Sequence, residues 1–190
     1  CMAHLTSAFV ASGPLWRLNP SYMPLQLLRY FQQADAAGPW GEVIDNTLRM
    51  FGAVTPKGFA PDWCAWSQDS RSFVADPQKG AIGSYDAIRV YLWAGMLSEK
   101  DPARKMLLLN LRGPRQALAE NHTVPEYVDT VTGQTRGMAP LGFSGAMLPY
   151  LKALDATDAL ADQVARVPGG RVAPPAANAT TPPPTPLPYY

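Results

Sequence analysis

The chain has 190 residues, of which 47% are hydrophobic and 16% are charged, and its 16 Lys and Arg nearly balance its 15 Asp and Glu. A formal net charge of +1 leaves no general electrostatic footprint for a polyanion, so neither nucleic acid nor an anionic membrane is an expected partner. Two cysteines, Cys1 and Cys64, cannot form a disulfide scaffold or a four-thiolate zinc site, but they could form one bridge in an oxidising compartment. His4 and His122 have no Cys or acidic partner at ligand spacing, and no glycine-rich phosphate-binding motif occurs, so we expect neither a metal nor a cofactor.

The two ends of the chain differ from its middle. Residues 1–13 begin at Cys1 instead of Met and lack a basic segment, which indicates a processed or truncated amino terminus and not a signal peptide. Residues 168–190 hold eight of the 20 prolines and no apolar periodicity, which predicts a disordered or polyproline II tail. No stretch reaches the ~18 apolar residues that a membrane span needs. The predicted folding unit is therefore residues 14–167.

The first half of this unit has helical periodicity followed by an irregular stretch. The pattern predicts a helix from Pro20 to Gly38, with Leu27, Tyr30 and Phe31 on its buried stripe. A second predicted helix, residues 40–51, has a buried face made of Trp40, Val43, Ile44, Leu48 and Phe51. Residues 55–83 are rich in Pro, Gly, Asp and Ser and fit no period, so they are predicted to form a long loop.

Four more helices are predicted in the second half. Residues 85–97 form the most apolar one, with Ser84 as its expected cap; the next, residues 103–120, follows an Asp101 cap and is expected to bend at Gly113. Residues 142–154 and 158–167 complete the set. Strand signals are confined to short pieces near residues 72–74 and 127–131, so the predicted class is all-α, with helices in consecutive hairpins.

Asp86 is the most informative side chain, because a carboxylate at the start of an apolar helix is costly unless it is paired or functional. Arg89 and Trp93 share its helical face, and Tyr85 flanks it. Two interpretations remain open: an intrahelical Asp–Arg pair that satisfies itself, or a carboxylate turned towards a cleft as a general base.

Two further clusters accompany it. In the segment that starts at Trp16, Asn19 could cap the helix at Pro20 or contact a ligand, whereas Tyr22 has no core stripe to join. In the loop at residues 55–63, Asp62 and Trp63 stand side by side, a combination suited to sugar rings because aromatic faces cover their C–H groups. The same loop could instead be folded onto the core through Phe59.

Four segments together, residues 16–24, 55–63, 84–96 and 142–150, resemble the C-terminal half of family 8 glycoside hydrolases. The resemblance covers about residues 14–155. It implies a partial α/α toroid of helical hairpins that cleaves a β-1,4-glucan with inversion. It also implies a parent protein that is periplasmic or secreted, with the bacterial cellulose synthase machinery as a possible partner.

The resemblance also implies residue roles. Asp86 matches the family's general base, Arg89 the arginine that keeps this base ionised and oriented, and Tyr22 the tyrosine that helps hold the attacking water. Tyr85 lines the same subsite. Trp16, Asn19, Asp62 and Trp63 are the remaining expected substrate-binding residues.

One essential group has no match. Inversion needs a second, protonated carboxyl roughly 6.5–9.5 Å from the base, and in the family this is a glutamate in a Glu-x-x-x-Tyr-Gly-Met type segment. None of the four glutamates, Glu42, Glu99, Glu120 and Glu126, has that context. We therefore expect a truncated hydrolase that holds the base without the acid and has little activity. The alternative is a non-catalytic glucan-binding or assembly-associated remnant that uses its tryptophans.

Overall fold

The computed structural model describes residues 9–169 and contains helices and two small antiparallel sheets. The predicted 168–190 tail, apart from its first two residues, and residues 1–8 of the predicted N-terminal segment lie outside the described residues. In chain order the elements are β1 (Phe9–Ser12), β2 (Leu15–Leu18), a short 3-10 turn (Pro20–Tyr22), α1 (Leu25–Ala34), α2 (Trp40–Val54), β3 (Cys64–Ser67), β4 (Ser72–Ala75), β5 (Ile82–Gly83), α3 (Ile88–Met96), α4 (Arg104–Asn110), α5 (Gly113–Asn121), β6 (Pro125–Asp129), β7 (Thr135–Met138), α6 (Leu141–Ala153) and α7 (Thr157–Gly169). None of the described helices is long and apolar enough to cross a bilayer.

The helical character is confirmed, with local differences. The segment predicted as one helix after Asp101 forms two helices, α4 and α5, because the helical structure is interrupted between Asn110 and Gly113. The predicted Asp101 cap is wrong, because the helix begins later and its N-cap is Ala103, which has no side-chain cap hydrogen bond. The Asp101 carboxylate accepts the backbone N–H of Ala103 at 2.8 Å, in the turn before α4. In α2, the residues Val43, Ile44 and Phe51 are buried as predicted.

The buried stripe predicted for the first helix is wrong. Leu27 is 44% exposed and Tyr30 is 63% exposed, whereas Leu25 and Leu28 face the core. Residues 27, 30 and 31 share one face of a helix and residues 25 and 28 share another, and spacing alone does not tell which face meets the core. The helix also begins later than predicted, because Pro20–Tyr22 forms a separate 3-10 turn and α1 begins only after Pro24.

The two sheets are the main departure from the all-α prediction. One has the order β1-β2-β3-β4 and the other β5-β6-β7. The strand pieces predicted near residues 72–74 and 127–131 are confirmed as parts of β4 and β6, but the predicted 55–83 loop also contains β3 and β5. The sheets are hard to predict because strands of two to five residues are too short to show alternation of apolar and polar residues. The pairing of β2 with β3 also joins residues about 50 positions apart, as in Leu15↔Ser67.

The loop is nonetheless tied to the core, as its alternative interpretation proposed. Phe59 is buried and packs with Ala117 and Val128. The backbone N–H of Ala60 donates to the Tyr91 hydroxyl at 2.8 Å, and that of Asp62 donates to the Ile82 carbonyl at 2.8 Å. These anchors hold the segment just before β3 against the start of α3.

Helix α3 packs directly on α6, and Gly95 makes their closest approach possible. A Cβ at Gly95 would lie 2.2 Å from the Tyr150 backbone nitrogen and 2.4 Å from the Pro149 carbonyl carbon. Backbone atoms of a packed helix cannot move aside as a flexible side chain can. The separation of these two helices is therefore set by a glycine.

We expect Gly95→Ala to destabilise the protein by about 3 kcal/mol, because α3 and α6 must separate. Gly145→Ala in α6 is the matched control, since nothing lies within 4 Å of the added Cβ. The control should gain up to about 1 kcal/mol from helix propensity. Urea denaturation of both variants measures the difference, and equal stabilities would contradict the close approach.

Candidate active site

Asp86 lies in the turn that leads into α3, and both of its carboxylate oxygens have partners. Oδ1 accepts a hydrogen bond from Arg89 Nη2 at 2.5 Å, and Oδ2 accepts one from Trp63 Nε1 at 3.1 Å. The Asp86 side chain is still 25% exposed. Each carboxylate oxygen has about two acceptor positions, so acceptor capacity remains free on the exposed side.

The backbone of this turn is held by Asp62. Its Oδ1 atom accepts the N–H groups of Ser84, Asp86 and Ala87 at 2.8, 3.0 and 2.7 Å. The predicted Ser84 cap is wrong: the Ser84 hydroxyl donates instead to the Glu126 carbonyl at 2.5 Å. Asp62 thus holds the turn that precedes α3 from a segment more than 20 residues away in sequence.

Burial raises the pKa of the Asp62 carboxyl, although the N–H groups of Ala87, Ser84 and Asp86 lower it, because removing a carboxylate from water is costly. The nearby Asp86 carboxylate adds to the rise. The residue was predicted to bind substrate, and that role stays a prediction. Its observed contacts are with the backbone beneath Asp86.

A second set of hydrogen bonds supports Arg89. Asn19 Oδ1 accepts the backbone N–H of Ser21 at 3.0 Å and its hydroxyl at 2.6 Å, and Arg89 Nη2 donates to the Ser21 hydroxyl oxygen at 2.9 Å. The capping interpretation of Asn19 is confirmed, and the residue is buried. Trp93, expected on the ridge of Asp86, donates from Nε1 to the Ser21 carbonyl at 3.2 Å.

Two tyrosines flank the carboxylate and are open to solvent. Tyr22 is 48% exposed, its ring meets Trp63 edge-on at 6.4 Å, and the Arg89 guanidinium lies 5.8 Å from its ring centroid. Tyr85 is 49% exposed and donates from its hydroxyl to Glu126 Oε1 at 2.8 Å. That hydrogen bond raises the pKa of the Tyr85 phenol.

The structure therefore brings together most of the predicted residues, but Trp16 lies apart from them. Trp16 sits in β2 opposite Trp66 of β3. Because side chains alternate along a strand, it points to the other face from its neighbour Arg17, whose guanidinium lies 4.9 Å from the Trp63 ring centroid. A role for Trp16 in substrate binding stays a prediction.

Three residues near the site were missed as functional candidates. Arg17 forms a buried ion pair with Asp76, and Glu126 accepts the Tyr85 hydroxyl. Arg17 and Asp76 are 59 positions apart, so no local pattern joins them. An arginine flanked by apolar residues in Leu15–Leu18 was the one available signal.

Two other kinds of site are a metal centre and a cysteine nucleophile. Within residues 9–169, no three His, Cys, Asp or Glu side chains gather in a way that could hold a metal ion. Cys64 is a free, buried cysteine, and burial raises the pKa of its thiol to about 12. A thiol in that state is a poor nucleophile at neutral pH.

The fold and the sequence both match known glycoside hydrolases. The model of the family "Glycosyl hydrolases family 8" matches residues 6–172. The chain therefore belongs to glycosyl hydrolase family 8.

Individual relatives agree with this assignment. An endoglucanase of Xanthomonas axonopodis pv. citri (strain 306) is 47% identical over 184 residues, which cover 97% of this chain and 45% of the relative. An endoglucanase of Escherichia coli (strain K12) is 40% identical over 141 residues, 74% of this chain and 38% of the relative. The crystal structure of endo-1,4-D-glucanase from Vibrio fischeri ES114 superposes with a TM-score of 0.75 at 34% identity, covering 85% of this chain and 47% of that one. The chain thus spans about half the length of these relatives or less.

Proposed function

We propose that this chain carries the base side of an endo-β-1,4-glucanase active site that works with inversion, and that Asp86 is the general base. The observation that carries the proposal is the state of the Asp86 carboxylate. Arg89 and Trp63 hold its two oxygens from within the protein, and a quarter of the side chain stays open to solvent. A base that must take a proton from a water molecule needs this combination of fixed orientation and free acceptor capacity.

The proposed division of work follows from the contacts. Arg89 orients Asp86 through a charge-assisted hydrogen bond and is itself held by Ser21. Tyr22, exposed beside Trp63 and Arg89, helps hold the attacking water. In the reaction, this water attacks the anomeric carbon and its proton passes to Asp86, while the bond to the leaving sugar oxygen breaks on the opposite face and that oxygen takes a proton from a general acid.

The sugar-binding surface consists of the exposed aromatic side chains around the carboxylate. Tyr22 and Tyr85 are each about half exposed, and Trp63 lies between Tyr22 and Arg17. Such faces suit the C–H patches of glucose units, while Glu126 and Arg89 can pair with hydroxyl groups. The names of the relatives, endoglucanase and endo-1,4-D-glucanase, support a β-1,4-glucan as substrate.

The proton donor is proposed to be absent from this chain. None of the four glutamates occupies the motif that carries the acid in the family, and Glu126, which contacts Tyr85, accepts a hydrogen bond from it. We further propose that the helices form part of an α/α toroid and that the parent protein is periplasmic or secreted. An association with the cellulose synthase machinery belongs to the same proposal.

The alternative function is glucan binding without hydrolysis. Parallel measurements of binding and of hydrolysis distinguish it from the proposed glucanase function. We expect cello-oligosaccharides to quench tryptophan fluorescence saturably, because Trp63 lies at the site, and Trp63→Phe to remove most of that signal. Reducing ends released in parallel measure hydrolysis. Binding without turnover of any substrate favours the alternative, and fluorescence that does not respond contradicts a glucan site around Trp63.

A further inference from the structure

We propose that the buried Arg17–Asp76 ion pair is a positioning device for Trp63 and, through Trp63, for Asp86. The catalytic consequence rests on the proposed function, whereas the effect on Trp63 does not. Arg17 and Asp76 touch neither Asp86 nor its exposed side among the described contacts. They act through the indole that donates to it.

The sheet register places the three residues together. Trp63 comes just before β3 and Asp76 just after β4, and Cys64 pairs with Ala75, so the two residues stand side by side at the open end of this hairpin. Strand β2 lies on the other side of β3, with Leu18 opposite Cys64, and brings Arg17 to the same place. The arrangement depends on pairing three segments that are distant in sequence.

The ion pair is bidentate and buried. Arg17 Nε donates to Asp76 Oδ2 at 2.6 Å and Nη2 donates to Oδ1 at 3.1 Å, which fixes the plane of the guanidinium. Asp76 Oδ1 also accepts the backbone N–H groups of Gln78 and Lys79, each at 2.8 Å. The Asp76 side chain has no exposed surface, and that of Arg17 has 9%.

The fixed guanidinium determines how Trp63 lies. Arg17 covers the Trp63 ring with 4.9 Å between its central carbon and the ring centroid, while Tyr22 meets the same ring edge-on. With the ring held in this way, its Nε1–H points at Asp86 Oδ2. A buried ion pair is weak evidence for stability, since apolar residues often serve as well. Its direct contact with the group that holds Asp86 indicates a geometric role.

The first test observes Trp63 without any need for activity. The chain has five tryptophans, whose indole N–H groups give separate ¹H–¹⁵N resonances, and Trp63→Phe assigns the relevant one. The double variant Arg17→Gln with Asp76→Asn keeps a buried hydrogen-bonding pair and leaves no uncompensated charge. We expect the hydrogen-exchange rate of the Trp63 indole to rise about tenfold in this variant, because its bond to Asp86 is weakened.

Trp93 provides the internal control, since its indole donates to the Ser21 carbonyl and does not touch Arg17. Its exchange rate should stay within about twofold if the variant is folded. Arg17→Lys is a second variant for the case in which the double variant does not fold; its compact ammonium keeps the charge but cannot cover the ring as a planar fork. An unchanged Trp63 resonance and exchange rate in a folded variant would overturn the inference.

The second test separates this inference from the proposed function. On β-cellobiosyl fluoride, the double variant should lower kcat about tenfold with KM nearly unchanged, and Arg17→Lys should lose less. A change in KM alone would overturn the positioning role. If the Trp63 resonance responds as expected but Asp86→Asn retains full hydrolysis, the proposed base fails and the contact between the ion pair and Trp63 stands.

Discussion

Replacing Asp86 with Asn is expected to lower the rate at which the chain hydrolyses β-cellobiosyl fluoride by on the order of a thousandfold, the range that general-base catalysis contributes. This substrate tests the base alone, because fluoride departs without a proton from a general acid. The amide of Asn keeps an acceptor for Arg89 or Trp63 but cannot accept the proton of the attacking water. Loss of rate with retained binding would therefore report the chemistry and not the shape of the site.

The wild-type chain should release α-cellobiose first, since attack by water on the face opposite the fluoride inverts the anomeric centre. Proton NMR during the reaction distinguishes the two anomers before they equilibrate. On cello-oligosaccharides, whose leaving group needs protonation, we expect little or no turnover by the same chain. Asp69→Asn, a change at an exposed carboxylate in the turn between β3 and β4, is the matched control and should leave the rate unaltered.

Two results would contradict this assignment. Full activity of Asp86→Asn on the fluoride would show that another group accepts the proton. Hydrolysis of cello-oligosaccharides by the wild-type chain, lost in Asp86→Asn, would overturn the proposed absence of a proton donor and make Glu126 the first residue to test, because it lies against Tyr85.

Removal of the Asp62 carboxyl is expected to produce the second large effect, this time on stability. Asp62→Ala leaves the N–H groups of Ser84, Asp86 and Ala87 without their acceptor, and we expect a loss of about 2–4 kcal/mol in the free energy of unfolding. Asp62→Asn keeps an oxygen at the same place and should cost less than about 1 kcal/mol. Urea denaturation measures both variants, and equal losses would contradict the role of Asp62 as the acceptor for these N–H groups.

The pH dependence of this comparison has a definite sign. The pKa of Asp62 in the folded protein is raised above the ordinary value of 3.8, so between the two values the folded state holds the proton more tightly than the unfolded chain. The stability of the wild type relative to Asp62→Asn should therefore be greatest at low pH and fall as the pH rises through the folded-state pKa. A difference that grows with pH over this window would contradict the dominance of burial.

Both predictions concern a site that was only partly predictable. Asp86 and Arg89 are three positions apart, so their pairing follows from local geometry. The capping of the 3-10 turn by Asn19 is also local, because donor and acceptor are two residues apart. The sequence marks Asp62 and Trp63 only as neighbours in a loop. The hydrogen bond from Trp63 to the Asp86 carboxylate spans 23 residues and that from the Asp86 N–H to Asp62 spans 24, so neither has a local signal.

The errors have a common physical origin. The spacing in α1 allows either of two apolar faces to be the inner one, and packing against the rest of the core decides that it is the face of Leu25 and Leu28. The Ser84 cap is expected because the nearest polar residue before a helix is the usual acceptor, but the turn before α3 is held instead by the half-buried Asp62 carboxylate of another segment. Strands of two to five residues have too few positions for alternation to be detected, so the pairing of β2, β3 and β4 that brings Arg17, Trp63 and Asp76 together had no sequence signal.

The sequence by itself predicts the features that depend on residues close together in the chain. These are the helices, the Asp86–Arg89 pair, and the motifs that resemble family 8 glycoside hydrolases. The tertiary structure decided which groups hold the carboxylate, because Trp63, Asp62 and the Arg17–Asp76 pair meet it only through sheet register and loop anchoring. Hydrogen bonds and ion pairs form over a few ångströms in space. Arg17 and Asp76 are 59 positions apart in the sequence, so no spacing along the chain could predict that they pair.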